Sequence, residues 1–137
     1  MTPPQAASPR VLDTRDALAA ASSRLQVLKK RADFQRASRA MRVAMPGFVL
    51  QLRVRAGDEA TGIRVGYTCS KKVGNAVARN RAKRRLREAA RLVLAHHGRD
   101  GLDYVLIGRR DQTAALPFSQ LTADLKTAID RLHARLR

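Results

Sequence analysis

The chain has 137 residues, enough for one domain with tails but not for two substantial cores. Its 28 Lys and Arg against 11 Asp and Glu give a formal charge of +17, so the chain repels itself unless a polyanion neutralises it. No apolar run approaches the about 18 residues of a membrane span, and the N-terminus lacks the basic start and apolar middle of a secretory signal. Nucleic acid is therefore the polyanion to expect, and a cytoplasmic location follows by default.

Residues 1–23 are rich in Ala, Pro and Ser without a sustained period, which predicts a mobile N-terminal extension with a short helical piece at Asp16 to Ala21; residues 24–137 form the domain. In LQVLKKRADFQRASRA, Leu25, Leu28 and Ala32 recur at three- and four-residue spacing between cations, predicting a short amphipathic helix from Leu25. The period then changes. Phe48, Leu50, Leu52 and Val54 alternate with Val49, Gln51, Arg53 and Arg55, and after a Gly/Asp-rich turn Ile63, Val65, Tyr67 and Cys69 alternate with Arg64, Gly66, Thr68 and Ser70. Two strands paired antiparallel are the natural reading, with one apolar and one cationic face.

Next comes VGNAVARNRAKRRLREAARL, Val73 to Leu92, with seven cations and a single anion, Glu88. At about 100° per residue, Leu86, Ala89 and Val93 fall within about 40° of Ala82 on one stripe, with Asn80, Arg84, Arg87 and Arg91 opposite. Basic helices usually balance their charge with Glu at four-residue spacing. Here Lys83 faces Arg87 and Arg87 faces Arg91, each pair costing a few tenths of a kcal/mol. A phosphate backbone along the helix offsets that cost, and arginine suits bidentate contact with phosphate oxygens. Lys71 and Lys72 just before the helix, with Arg79, Asn80, Arg81, Lys83, Arg84, Arg85, Arg87 and Arg91 on it, are the nucleic-acid-binding candidates.

His97-Gly98 reads as a helix stop, and LDYVLIG as a strand buried on both faces. Leu121, Leu125, Ile129, Leu132 and Leu136 mark a last amphipathic helix beginning near Pro117. The predicted order is α, β, β, α, β, α, with Gly66 to Val73 leaving room for one more strand.

GYTCSKK lacks the second glycine of a phosphate-binding loop. No Ser/His/Asp set shows in the spacing, the acids are scattered, and Cys69 with His96, His97 and His133 has no metal-ligand spacing. No catalytic residue and no metal ligand is assigned. Phe34 is either core or a platform for an unpaired base. Tyr67 and Cys69 read as core.

The residues RVGYTCSKKVGNAVARNRAKRRLRE, Arg64 to Glu88, flanked by KKRADFQR upstream and DYVLIGRR downstream, resemble the bacterial ribonuclease P protein subunit from about Leu28 to the C-terminus. The resemblance implies an α/β two-layer sandwich, a central mostly antiparallel sheet with flanking helices, and a left-handed βαβ crossover where the general rule for parallel strands gives a right-handed one. It implies a non-catalytic protein that assists a catalytic RNA in Mg²⁺-dependent removal of the 5′ leader from precursor tRNA, the Mg²⁺ held mainly by the RNA. No membrane or protein partner is implied. By the same resemblance Arg79, Asn80, Arg81, Lys83, Arg84 and Arg87 meet the catalytic RNA, with Lys83 and Arg87 toward the leader, while Phe34, Val49 and Gln51 line the leader cleft. Ser38 and Gln51 stand where the family often has aromatics, which shifts the expected contact from stacking toward hydrogen bonds and phosphate contacts from Arg53. A structural RNA-binding protein, such as a ribosomal one, is the alternative, and a nucleoid DNA-binding protein stands third.

Overall fold

A computed structural model describes residues 25–55 and 62–136. Along the chain run β1 (Leu25–Val27), α1 (Arg31–Ser38), β2 (Met41–Met45), β3 (Phe48–Val54), β4 (Ile63–Cys69), a 3₁₀ turn (Lys71–Val73), α2 (Ala76–His97), β5 (Leu102–Gly108), α3 (Gln112–Ala115) and α4 (Phe118–Ala134). The strands form one sheet in the order β1-β4-β5-β3-β2. The extension expected over residues 1–23 lies outside the described residues.

The two strands read as a hairpin, β3 and β4, do not pair with each other. The apolar strand β5 lies between them, antiparallel to β3 and parallel to β4. An alternating pattern fixes which face each strand buries, but it does not name the neighbour. An interior strand such as β5 buries more apolar surface in the middle than at the rim. The sheet is accordingly mixed, with β2 and β3 also antiparallel and β1 and β4 parallel. Helix α2 connects the parallel neighbours β4 and β5 as a βαβ crossover.

Leu25 to Val27 form a strand where the spacing had suggested helix. Leu25 pairs with Ile63 and Val27 with Val65, and the Leu28 amide extends the ladder to the Val65 carbonyl at 2.9 Å. Three residues become a strand only because a distant edge accepts them, and helix α1 begins after the extended Lys30. The additional strands are β1 and β2; after Cys69 the chain makes the 3₁₀ turn, not a further strand. The alternation of Met41, Val43 and Met45 against Arg42 and Ala44 was the available signal for β2.

The main core lies between one sheet face and helices α2 and α4. Phe48, Leu50 and Leu52 of β3, Ile63 and Val65 of β4 and Leu102, Tyr104 and Leu106 of β5 meet Leu86, Ala89, Val93 and Leu94 of α2 and Leu121, Leu125, Ile129 and Leu132 of α4. The stripe predicted for α2 is the buried one, with Ala82 included. Asn75 caps the helix, its side-chain oxygen accepting from the Ala78 amide at 2.9 Å, and Gly98 follows its end. Pro117 precedes the first residue of α4 as expected.

On the opposite sheet face, α1 covers a smaller cluster in which Leu28, Ala37 and Val105 are buried and Phe34 and Ile107 half-buried. Register places three rows on this face: Arg64, Asp103 and Arg53; Gly66, Val105, Gln51 and Arg42; Thr68, Ile107, Val49 and Ala44. Gly66 is required by Phe34, because a Cβ there would lie 2.6 Å from the ring's Cε1.

Candidate nucleic-acid interface

Two cationic surfaces result, one on each side of the sheet. The first is the outer side of α2 and the turn before it. Lys71, Lys72, Asn80, Arg81, Arg84, Arg87 and Arg91 are exposed, and Arg79, Lys83 and Arg85 half-buried. The core demands the Ala82–Leu86–Ala89–Val93 stripe, so helical geometry turns the remaining positions outward and lines guanidinium groups along about 30 Å of helix.

Not all these cations are equally available. The Arg85 guanidinium donates to the Leu116 carbonyl and sits 6.0 Å over the Phe118 ring, tying α2 to the start of α4. Its first role is structural, which the sequence did not show because its partners lie about 30 residues away. Arg91 pairs with Glu88 at 2.8 Å, both about half-exposed, a contact of modest worth. Arg87 lies 5.2 Å over the Tyr67 ring. Burial pushes the Tyr67 hydroxyl up to about 12, outweighing the Arg87 charge that pulls it down, so the phenol stays neutral under the guanidinium. Cys69, beside this helix, likewise has its thiol pushed up by burial against the opposing effects of Gly108, Lys83 and Arg79.

The second surface is the α1 side of the sheet. Val49, Gln51 and Arg53 share that face by their parity along β3, and Phe34 reaches it from α1. Phe34 packs over Gly66 and is only half-buried, so it serves the small cluster and still presents an edge. Gln51 is buried and Val49 half-buried. Arg53 is engaged within the protein at 3.2 Å from Asp103. Tyr67 belongs to the α2 face, so Arg87 and the Phe34–Gln51 surface lie on opposite sides of the sheet.

Asp103 is the anion that organises this second surface. Wholly buried, it accepts from Arg55 at 2.6 Å, from Arg64 at 2.7 and 2.8 Å, and from Arg53 at 3.2 Å. Arg64 also reaches Asp33 of α1 at 3.6 Å, and Asp33 holds Arg36 at 3.1 Å, so the network links helix to sheet. Burial alone would raise the Asp103 carboxyl. The Arg64 and Arg55 hydrogen bonds outweigh it and hold the group below the usual carboxylate range. Four arginines thus share two carboxylates, which leaves the face net positive. Sequence reasoning missed Asp103, Arg55 and Arg64, since their convergence is set by register. Among the described residues no three His, Cys, Asp or Glu side chains converge as a metal site, and no helix is long and apolar enough to cross a membrane.

The family model for ribonuclease P matches residues 23–133. The chain belongs to the ribonuclease P protein family. It is 62% identical over 114 residues to the ribonuclease P protein component of Ruegeria pomeroyi, covering 83% of this chain and 91% of that one, and 50% identical over 116 residues to that of Paramagnetospirillum magneticum, covering 82% and 86%. Among solved structures, the Staphylococcus aureus RNase P protein superposes with a TM-score of 0.62 at 31% identity, over 77% of this chain and 94% of that one. The Thermotoga maritima RNase P protein gives 0.61 at 26% identity, over 77% and 96%. The ribosomal-type alternative is not favoured by these matches.

Proposed function

We propose that the chain works as the non-catalytic protein subunit of a ribonucleoprotein whose catalytic RNA removes the 5′ leader from precursor tRNA in the cytoplasm. The observation that carries this reading is the outer side of α2, where Asn80, Arg81, Arg84 and Arg87 are exposed on a helix whose lone acid, Glu88, is already paired with Arg91. A ribose-phosphate chain satisfies these cations and releases counterions as it binds. The separate cationic face under α1 supports a division of labour, with the catalytic RNA on α2 and the single-stranded leader across Phe34, Val49 and Gln51. In this reading Arg53, held by Asp103, contributes to the leader surface through its field more than by a freed side chain.

The protein's contribution is electrostatic and positional. Neutralising phosphates allows the RNA to fold and to hold its own Mg²⁺ at lower free concentration, while the described part of this chain offers no cluster of its own for the metal. The test is precursor tRNA cleavage by the catalytic RNA at low Mg²⁺ with and without the protein. Strong stimulation that fades as Mg²⁺ is raised is expected. Equal rates would overturn the reading.

A further inference from the structure

A groove of about 440 Å³ opens between the first turn of α2 and the turn leading into α3, lined by Val73, Val77, Ala78, Arg81, Arg109 and Asp111 among others. Three features set it apart from a plain surface fold. Val77 is 76% exposed, an apolar lip on the most cationic part of the chain. Arg81 has no ion pair or hydrogen bond among the described residues, and Arg109 is aimed by its bond to the Met45 carbonyl at 2.9 Å. Asp111 stands at the centre of a tight turn, with φ 64° and ψ −43°, closed by the Gln112 amide on the Arg110 carbonyl at 2.6 Å. The turn is fixed from below, since the buried Thr113 hydroxyl accepts from the Arg109 amide and donates to the Gly47 carbonyl, both at 2.7 Å. The Asp111 carboxylate stands at the rim of the groove, 80% exposed and 3.8 Å from the Arg110 guanidinium, a solvent-screened pair of modest worth that leaves it open to a ligand.

We infer that this groove takes one unpaired nucleotide of the RNA partner, with its phosphate on Arg81 and Arg109, its base against Val77 and Ala78, and its hydrogen-bonding edge on Asp111. The inference rests on the RNA-binding reading given above and adds a base-reading site to it. Two cations beside an apolar strip match a nucleotide's phosphate and base, which an extended duplex backbone cannot fill. A carboxylate only accepts, so it selects bases that offer donors. Guanine presents two adjacent donors, N1–H and the 2-amino group, matched to the two carboxylate oxygens, whereas uracil offers one donor flanked by two carbonyls that the carboxylate repels. The site therefore favours guanine over uracil.

The probes are GMP, UMP and inorganic phosphate, titrated into the isotope-labelled full chain and followed by amide NMR shifts at Val77, Ala78 and Ala114. GMP should bind about tenfold more tightly than UMP, the worth of one charge-assisted hydrogen bond, and inorganic phosphate should leave the three apolar positions nearly unmoved. Asp111→Asn and Asp111→Gly should each bring GMP and UMP together; the glycine variant relieves the positive φ, so a loss there is not unfolding. Arg81→Ala should weaken both nucleotides alike. Equal binding of GMP and UMP by the unaltered chain, or displacement of GMP by a tetraglutamate peptide at equal concentration, would overturn the inference. Cleavage assays on the same samples separate the two levels: stimulation of the catalytic RNA with no preference for GMP sinks the groove alone, and absence of stimulation sinks the reading beneath it.

Discussion

Asp103→Asn is the most informative single perturbation of the fold. The substitution preserves shape, removes the charge and turns one acceptor into an amide donor facing guanidinium. Asp103 is wholly buried and takes four hydrogen bonds of 2.6 to 3.2 Å from three arginines, of which Arg55 is itself almost fully buried. Removing one partner from such a network leaves uncompensated buried charge and costs about 3–5 kcal/mol, a large share of the about 5–15 kcal/mol that holds a domain together. At about 4 °C per kcal/mol for a domain of this size, the melting midpoint should fall by roughly 12–20 °C. Urea unfolding followed by circular dichroism at pH 7 measures the loss directly. The acid limb gives a second readout. The carboxyl lies lower in the fold than in the unfolded chain, so its contribution is complete above the unfolded value of about 3.9 and is lost as pH falls through the folded one. Asp103→Asn should flatten that limb. A loss below about 1 kcal/mol with an unchanged acid limb would refute the view that Asp103 organises the α1 face.

Arg81→Ala should weaken RNA binding and lower the slope of log affinity against log salt by about one unit or less, measured by filter binding over a salt series; an unchanged slope would remove Arg81 from phosphate contact. Asn75→Ala should cost about 1 kcal/mol by denaturant unfolding, because it removes the cap on the Ala78 amide. Gly66→Ala should cost about 1–3 kcal/mol and clearly less in a Phe34→Ala background, since the ring is what the new Cβ meets; equal costs in both backgrounds would contradict the contact. His133 is pushed down by burial and by Arg99, against the opposing Asp130, with His97 adding to the depression, and its Nε2 lies 2.7 Å from the Tyr104 hydroxyl. Because the unfolded chain binds that proton more readily, this group's contribution is complete above about pH 6.5 and is lost as pH falls toward the folded value. An NMR titration showing His133 protonated at or above the value of a free histidine would refute it.

The cationic helix α2 was legible in the sequence because everything that defines it is local. The Ala82–Leu86–Ala89–Val93 stripe, the Asn75 cap and the Gly98 stop lie on one continuous segment, and a fixed angle per residue turns the cations outward once the stripe is buried. The same holds for the apolar run of β5 and for α4 after Pro117. Parity within β3 likewise put Val49, Gln51 and Arg53 on one face.

What the local pattern could not supply was partnership. That β5 separates β3 from β4, that Leu25–Val27 becomes a strand against Ile63–Val65, and that Arg53, Arg55 and Arg64 converge on Asp103 depend on segments up to 50 residues apart. Arg85 shows the same limit: as sequence it is one more cation in a basic run, and only the packing of α4 turns it inward to Leu116 and Phe118. Periodicity determines which way a side chain faces along its own element. Which group waits there is decided by strand order and register, and these are settled by burial summed over the whole domain.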